Sequence, residues 1–84
     1  MATVKTRDEV IDTLVGRGVT RDRATMYAAA YATFHEADAN ITANGAVVAH
    51  PRTGAPLENP YLRIRDKALA ALKRMYSYDV TGLW

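Results

Sequence analysis

The residues of this chain that could take part in catalysis or metal binding are few, and they do not form a recognisable site. His35 and Asp38 are three positions apart in a helical segment, but two ligands do not make a metal site. Ser77 has no histidine near it in the sequence. Gly16 and Gly18 are not followed by the Gly-Lys-Ser/Thr of a phosphate-binding loop. The sequence therefore predicts a protein that is not an enzyme and uses neither a metal nor another cofactor.

The basic residues carry more information, because they are clustered although the formal net charge is only +2. Local groups of Lys and Arg are compatible with contact to phosphate groups. A solvated helix face is the more frequent explanation of such charges, and that alternative stays open. The candidate nucleic-acid-binding residues form one group near the N-terminal turn and a second in the last predicted helix: Arg17, Arg21 and Arg23, then Arg63, Lys67, Lys73 and Arg74.

Capping signals place the first group between two helices. Thr6 and Glu9 form a capping box ahead of a short apolar helix, which we expect Gly16 and Gly18 to end. Thr20 then caps a second helix, so that the first basic group surrounds its start.

The second helix is long and is predicted to end at Asn44 and Gly45. An apolar stripe marks one side of it, and core packing is the simplest interpretation of that stripe. Two alternatives stay open for the aromatic members: base stacking on an exposed face, and contact with another subunit through Tyr27 and Tyr31. The stripe consists of Tyr27, Tyr31, Phe34, Asp38 and Ile41.

The connector after the long helix contains strand and turn signals. Residues 46–49 and 55–57 can pair around a turn at 51–54, with Pro56 restricted to an edge position. An irregular loop is an equal alternative.

The third helix is expected to run from about Pro60 to about Tyr78, with Asn59 as its N-cap and Pro60 at its first position. Its predicted apolar face consists of Tyr61, Ile64, Ala68, Leu72 and Met75.

These elements predict one small all-α domain over residues 1–84: a short helix, a long helix, a hairpin-like connector, and a third helix antiparallel to the long one. Fifteen of the 84 residues are alanine, so the core of such a short chain should be thin. Self-association would bury further surface, and we expect a homo-oligomer larger than a dimer. A small monomer is the alternative. Leu83 and Trp84 are expected to contact a neighbouring subunit or a partner protein, with an inconsequential tail as the alternative.

The order of the C-terminal motifs resembles phage terminase small subunits of the P27-like family, which share a G-x-P-x-x-N-P element followed by a basic helix. The glycine turn and the aromatic, small-residue start of the long helix extend the resemblance from roughly Arg7 to Tyr76. The matching residues of the C-terminal part are Gly54, Pro56, Asn59, Pro60, Leu62, Ile64, Lys67, Ala68, Leu72 and Arg74.

The resemblance implies a ring-forming, non-enzymatic DNA-packaging component that acts in the cytoplasm of a bacterial host cell, away from membranes. The implied partners are further copies of the chain, double-stranded DNA bound weakly and with low specificity, the large terminase subunit with its ATPase and nuclease, and the portal as a further candidate. Two other classes stay open: a small helix-turn-helix regulator that reads DNA through the start of the second helix, and a protein-only adaptor module.

Overall fold

The computed structural model describes residues 4–75, which form three helices and one β-hairpin. The described chain is mainly helical, and its connector is a two-stranded antiparallel hairpin. The prediction of an all-α fold is therefore correct for the helices but has to include this hairpin. The alternative of an irregular loop in the connector is excluded. The elements are α1 (Arg7–Gly16), α2 (Arg21–Asn44), β1 (Val47–Ala49), β2 (Pro56–Glu58) and α3 (Tyr61–Met75).

The first two helices begin where their capping residues predict. Thr6 Oγ1 accepts a hydrogen bond from the Glu9 N–H at 3.2 Å, and Glu9 Oε1 accepts one from the Thr6 N–H at 3.3 Å. Thr20 Oγ1 accepts a hydrogen bond from the Arg23 N–H at 3.4 Å. Gly18 has a φ of 92° in the intervening turn, a conformation that glycine adopts without steric cost. Local sequence thus determines at which residues α1 and α2 begin.

The third helix runs antiparallel to the second, as predicted. Near the start of α2, Arg23 Nη2 donates to the carbonyl of Met75 at 3.4 Å. Near the end of α2, Asn59 Nδ2 donates to Asn40 Oδ1 at 3.1 Å. Because the start of each helix lies beside the end of the other, the direction of the pair is fixed.

The core lies where α1, the first half of α2 and the last turns of α3 meet. Tyr27 and Tyr31 are each 1% exposed, so the core interpretation of the apolar stripe is confirmed for its N-terminal half. Asp38 and Ile41 continue the stripe as half-buried residues. The buried cluster contains Val10, Ile11, Leu14, Val19, Ala24, Tyr27, Ala28, Tyr31 and Leu72.

The hairpin accommodates Pro56 through its register. The His50 N–H donates to the Ala55 carbonyl at 2.9 Å, and Ala49 stands opposite Pro56 in the next pair. In an antiparallel ladder, pairs that exchange hydrogen bonds alternate with pairs that do not. Pro56, which has no N–H, therefore occupies a position where the ladder requires none.

Within residues 4–75, none of the three helices has the length and apolar character that crossing a membrane requires.

Candidate nucleic-acid interface

The antiparallel packing of α2 and α3 brings together basic residues that are far apart in the sequence. The first basic group surrounds the start of α2, and α3 ends beside that start. The hydrogen bond from Arg23 to the Met75 carbonyl shows this proximity directly. We call the resulting surface the basic end. It consists of five exposed residues: Arg17, Arg21, Arg23, Lys73 and Arg74.

Cations collect at this end from both helices. Arg23 donates to the Met75 carbonyl in the last described turn of α3, and Lys73 and Arg74 lie in the same turn. The start of α2 contributes partial positive charge and backbone N–H groups that favour an anion such as phosphate. Asp22 is the acidic residue in this first turn.

The structure divides the second predicted group. Arg63 precedes Arg74 by three helical turns and therefore lies about 16 Å from it along α3. Lys67 lies between them, and helical spacing keeps all three on one side of the helix. Arg63 adjoins the hairpin, where its Nε lies 4.0 Å from Glu58 Oε1. Lys73 and Arg74 thus belong to the basic end, whereas Arg63 and Lys67 extend from it as a line towards the hairpin.

The residues predicted to contact other subunits lie in two different situations. Tyr27 and Tyr31 are buried in the subunit, so their side chains would become accessible to a partner only if the core opened. We therefore do not retain these two as interface residues. Leu83 and Trp84 lie outside the described residues.

His35 contributes to packing beside the core. Its ring meets those of Tyr31 and Phe34 edge-on, with centroids 4.4 and 5.2 Å away. Burial lowers the pKa of His35 below its ordinary value of 6.5, and the charge of Asp38 opposes this shift in part. In the described part of the chain, no group of three or more His, Cys, Asp or Glu residues is arranged to hold a metal.

Two features of the structure were missed from the sequence. Arg65 is half-buried and reaches across the helix pair, with Nη1 3.9 Å from Asp38 Oδ1. Ile64, predicted on the buried face of α3, is instead 40% exposed, and Met26 on α2 is 64% exposed. The sequence contained one signal for this exposure: Met26 does not belong to the apolar stripe of α2 that includes Tyr27 and Tyr31.

Comparison with known proteins identifies the family of this chain. A family model for the phage terminase small subunit matches residues 5–78, a range that contains all three helices, the hairpin and the basic end. No match was found among curated proteins or among solved structures. The match covers nearly the whole chain and confirms the resemblance, so the chain belongs to the phage terminase small subunit family.

Proposed function

We propose that this protein is a DNA-packaging component that oligomerises, binds double-stranded DNA weakly through its basic end and delivers it to the large terminase subunit. Family membership supports the general role in phage DNA packaging. For this chain, the observation that carries the proposal is the convergence of Arg17, Arg21, Lys73 and Arg74 at one end of the helix pair.

The chemistry of the basic end favours phosphate contact over base recognition. Lys and Arg neutralise phosphates whatever the sequence, and such contacts supply most non-specific DNA affinity. A recognition helix needs an exposed face near its start that can enter the major groove. Ala24, Tyr27 and Ala28 bury one face of the first α2 turns, whereas the other face is exposed at Arg21 and Met26. What favours the packaging component over a helix-turn-helix regulator is that α2, with 24 residues, is the long central helix of the core and not a short recognition helix.

Oligomerisation would strengthen a weak site. One copy presents only a few cations, whereas several linked copies bind the same DNA with a gain in avidity. Under this proposal the oligomer is larger than a dimer and acts in the cytoplasm of the bacterial host. Leu83 and Trp84 remain proposed contacts to a neighbouring subunit, the large subunit or the portal, and deleting them should reduce assembly or partner binding while helix content is unchanged.

The DNA-binding proposal is tested by measuring affinity for duplex DNA as a function of salt concentration. The variant Arg21→Gln/Arg74→Gln removes two charges from the basic end and leaves Arg23, which bonds to Met75, in place. The control Arg7→Gln/Arg52→Gln removes two exposed charges from the start of α1 and from the hairpin turn. We expect the first variant to bind more weakly, with a log–log salt slope smaller by about 0.9 for each phosphate that it no longer neutralises.

The control variant should bind DNA as the unmodified protein does. If affinity decreased equally in the two variants, the decrease would be explained by net charge alone, and this result would contradict a DNA site at the basic end. A tight complex with one particular sequence, insensitive to the first variant, would favour the regulator instead.

A further inference from the structure

Asparagine supplies every side-chain amide of this chain, because the sequence contains three asparagines and no glutamine. An asparagine can lose its amide when the backbone nitrogen of the next residue attacks the side-chain carbonyl carbon. The identity of that next residue therefore decides how readily the asparagine reacts. Asn40 is followed by isoleucine, Asn44 by glycine and Asn59 by proline.

This chemistry selects Asn44. After Asn59 the attacking nitrogen would belong to proline, which has no N–H to lose. After Asn40 the branched side chain of isoleucine crowds the nitrogen. Glycine has no Cβ and leaves its backbone nitrogen open to reaction. Asn44 is also the exposed one of the three, whereas Asn40 is half-buried and Asn59 is 2% exposed.

The fold requires glycine at the position that makes Asn44 reactive. Gly45 follows the last residue of α2 with a φ of 86°, in the left-handed region that residues with a side chain rarely adopt. A Cβ at this position would meet the carbonyl oxygen of Val47 at 3.7 Å, an ordinary contact. The backbone angle and not the space therefore demands glycine, and the Asn-Gly pair is a consequence of how α2 ends.

The folded structure restrains the reaction at two atoms of Gly45. Its N–H donates to the Ile41 carbonyl at 2.7 Å, which holds the proton that the attacking nitrogen must lose. Its carbonyl accepts a hydrogen bond from Asn59 Nδ2 at 2.9 Å. Asn44 is itself the last helical residue, and the ring formed in the reaction closes readily only when its backbone leaves the helical angles. The hairpin end of the helix pair, where α2 ends and α3 begins, must therefore open before Asn44 reacts.

We propose that Asn44 is a deamidation site of this protein, and that the hydrogen bonds of Asn59 set its rate by limiting how often the hairpin end opens. In the open state the Gly45 nitrogen loses its proton and bonds to Asn44 Cγ. The Cγ–Nδ2 bond breaks, and the released group takes up a proton and leaves as ammonia. Water from the solvent then opens the cyclic imide at either carbonyl, which gives aspartate or isoaspartate.

The product changes the hairpin end in two ways. Isoaspartate lengthens the main chain by one atom ahead of Gly45, and so displaces the carbonyl that accepts from Asn59. Either product places a carboxylate at the C-terminus of α2, where the helix dipole disfavours an anion. No basic residue lies in that last turn of α2 to offset the charge. Deamidation should therefore loosen the hairpin end, and it is independent of the proposed DNA binding at the basic end.

The site assignment is tested by peptide mass spectrometry of folded protein stored at mildly alkaline pH. We expect conversion at Asn44, and none at Asn40 or Asn59 over the same period. Because the chain has no glutamine, the gain in intact mass reports the same reaction. The control Asn44→Gln keeps an exposed amide but does not readily close the five-membered ring, so its intact mass should stay constant. Folded protein that keeps all three amides, or that loses one at Asn40 or Asn59 first, refutes the assignment.

The control by Asn59 is tested with variants destabilised at different ends. Asn59→Ala opens the hairpin end and should speed conversion at Asn44 roughly tenfold, because the rate follows the fraction of chains that are locally open. Asn40→Ala removes one partner of Asn59 and should give a smaller acceleration. Val10→Ala weakens the core at the other end, at a residue with 0% exposure, and should leave the rate nearly unchanged. Far-UV circular dichroism and urea unfolding check that each variant is folded and how far it is destabilised.

Equal acceleration in Val10→Ala and in the two asparagine variants would mean that Asn44 reacts from globally unfolded chains, and would contradict control by Asn59. Conversion in the folded protein as fast as in guanidinium chloride would contradict any restraint by the helix end. Amide hydrogen exchange of aged protein tests the consequence: residues 46–58 should exchange faster than in fresh protein, and residues 7–16 should not. If aged Asn44→Gln shows the same change, deamidation does not loosen the hairpin end.

Discussion

The two ends of the helix pair are stabilised by different kinds of interaction. At the end where α1, α2 and α3 meet, Val10, Leu14 and Leu72 are 0–2% exposed and form an apolar core. At the hairpin end, Val47 is 63% and Leu57 43% exposed. On α2 the buried apolar cluster ends at Tyr31, although the helix continues to Asn44. Towards the hairpin, a polar network takes the place of this cluster.

Asn59 is the centre of that network, and it is 2% exposed. Its Oδ1 accepts a hydrogen bond from the Tyr61 N–H at 3.0 Å and so caps α3. Its Nδ2 donates to Asn40 Oδ1 at 3.1 Å and to the Gly45 carbonyl at 2.9 Å. One side chain thus connects the end of α2, the hairpin and the start of α3. The basic end is at the other end of the helix pair, where the apolar core fixes the positions of the helices that carry the basic residues.

The largest effect should come from the apolar end. Leu14→Ala removes a side chain with 0% exposure and should lower the free energy of unfolding by about 2–5 kcal/mol. Leu57→Ala, the matched change at the hairpin end, should cost only about 0.5 kcal/mol. Urea unfolding of both variants tests the difference. Similar decreases in stability would show that the hairpin end also depends on apolar burial.

The next effect concerns the polar network. Asn59→Ala removes the helix cap and leaves the Gly45 carbonyl without its donor, and should cost about 2 kcal/mol of unfolding free energy. Asn40→Ala removes a single hydrogen bond and should cost about 1 kcal/mol or less. Thermal or urea unfolding measures both changes in stability. If Asn59→Ala unfolds like the unmodified protein, Asn59 does not hold the hairpin end together.

The smallest effect is a pH dependence between the two ends, at His35. Its pKa is lowered in the folded state by burial, so the unfolded chain binds a proton more readily. Stability should therefore fall as the pH is lowered from above 6.5, the ordinary pKa, towards the lowered folded value, and then level off. Melting temperatures of the unmodified protein and of His35→Gln are compared from pH 7.5 to 5.5. As the pH is lowered, the melting temperature of the unmodified protein should fall more steeply than that of the variant. Parallel curves would mean that His35 titrates alike in both states.

Local signals were enough to predict much of this fold. Thr6, Thr20, Gly45 and Asn59 cap or end their helices as expected, because each acts on backbone groups within a few residues. A third helix that packs back on the second, antiparallel to it, was also expected. Short-range patterns also indicated the turn of the hairpin, although they left its strands undecided.

What the sequence left open depends on contacts between distant segments. The second role of Asn59 requires Asn40, nineteen positions away, and has no local signature. The exposure of Ile64 depends on how α3 is rotated against α2. The division of the basic residues likewise depends on which ends of the two helices meet. Tyr27 and Tyr31 were assigned both to the core and to an interface, and only their burial decides between these roles.

We propose that DNA contacts the basic end and not the hairpin end. Amide hydrogen exchange, measured with and without a DNA duplex at low salt, tests it along the whole chain. We expect slower exchange on DNA binding in residues 17–26 and 70–75, with residues 46–58 unchanged. Protection centred on residues 46–58, or bound DNA without protection at the basic end, would contradict it.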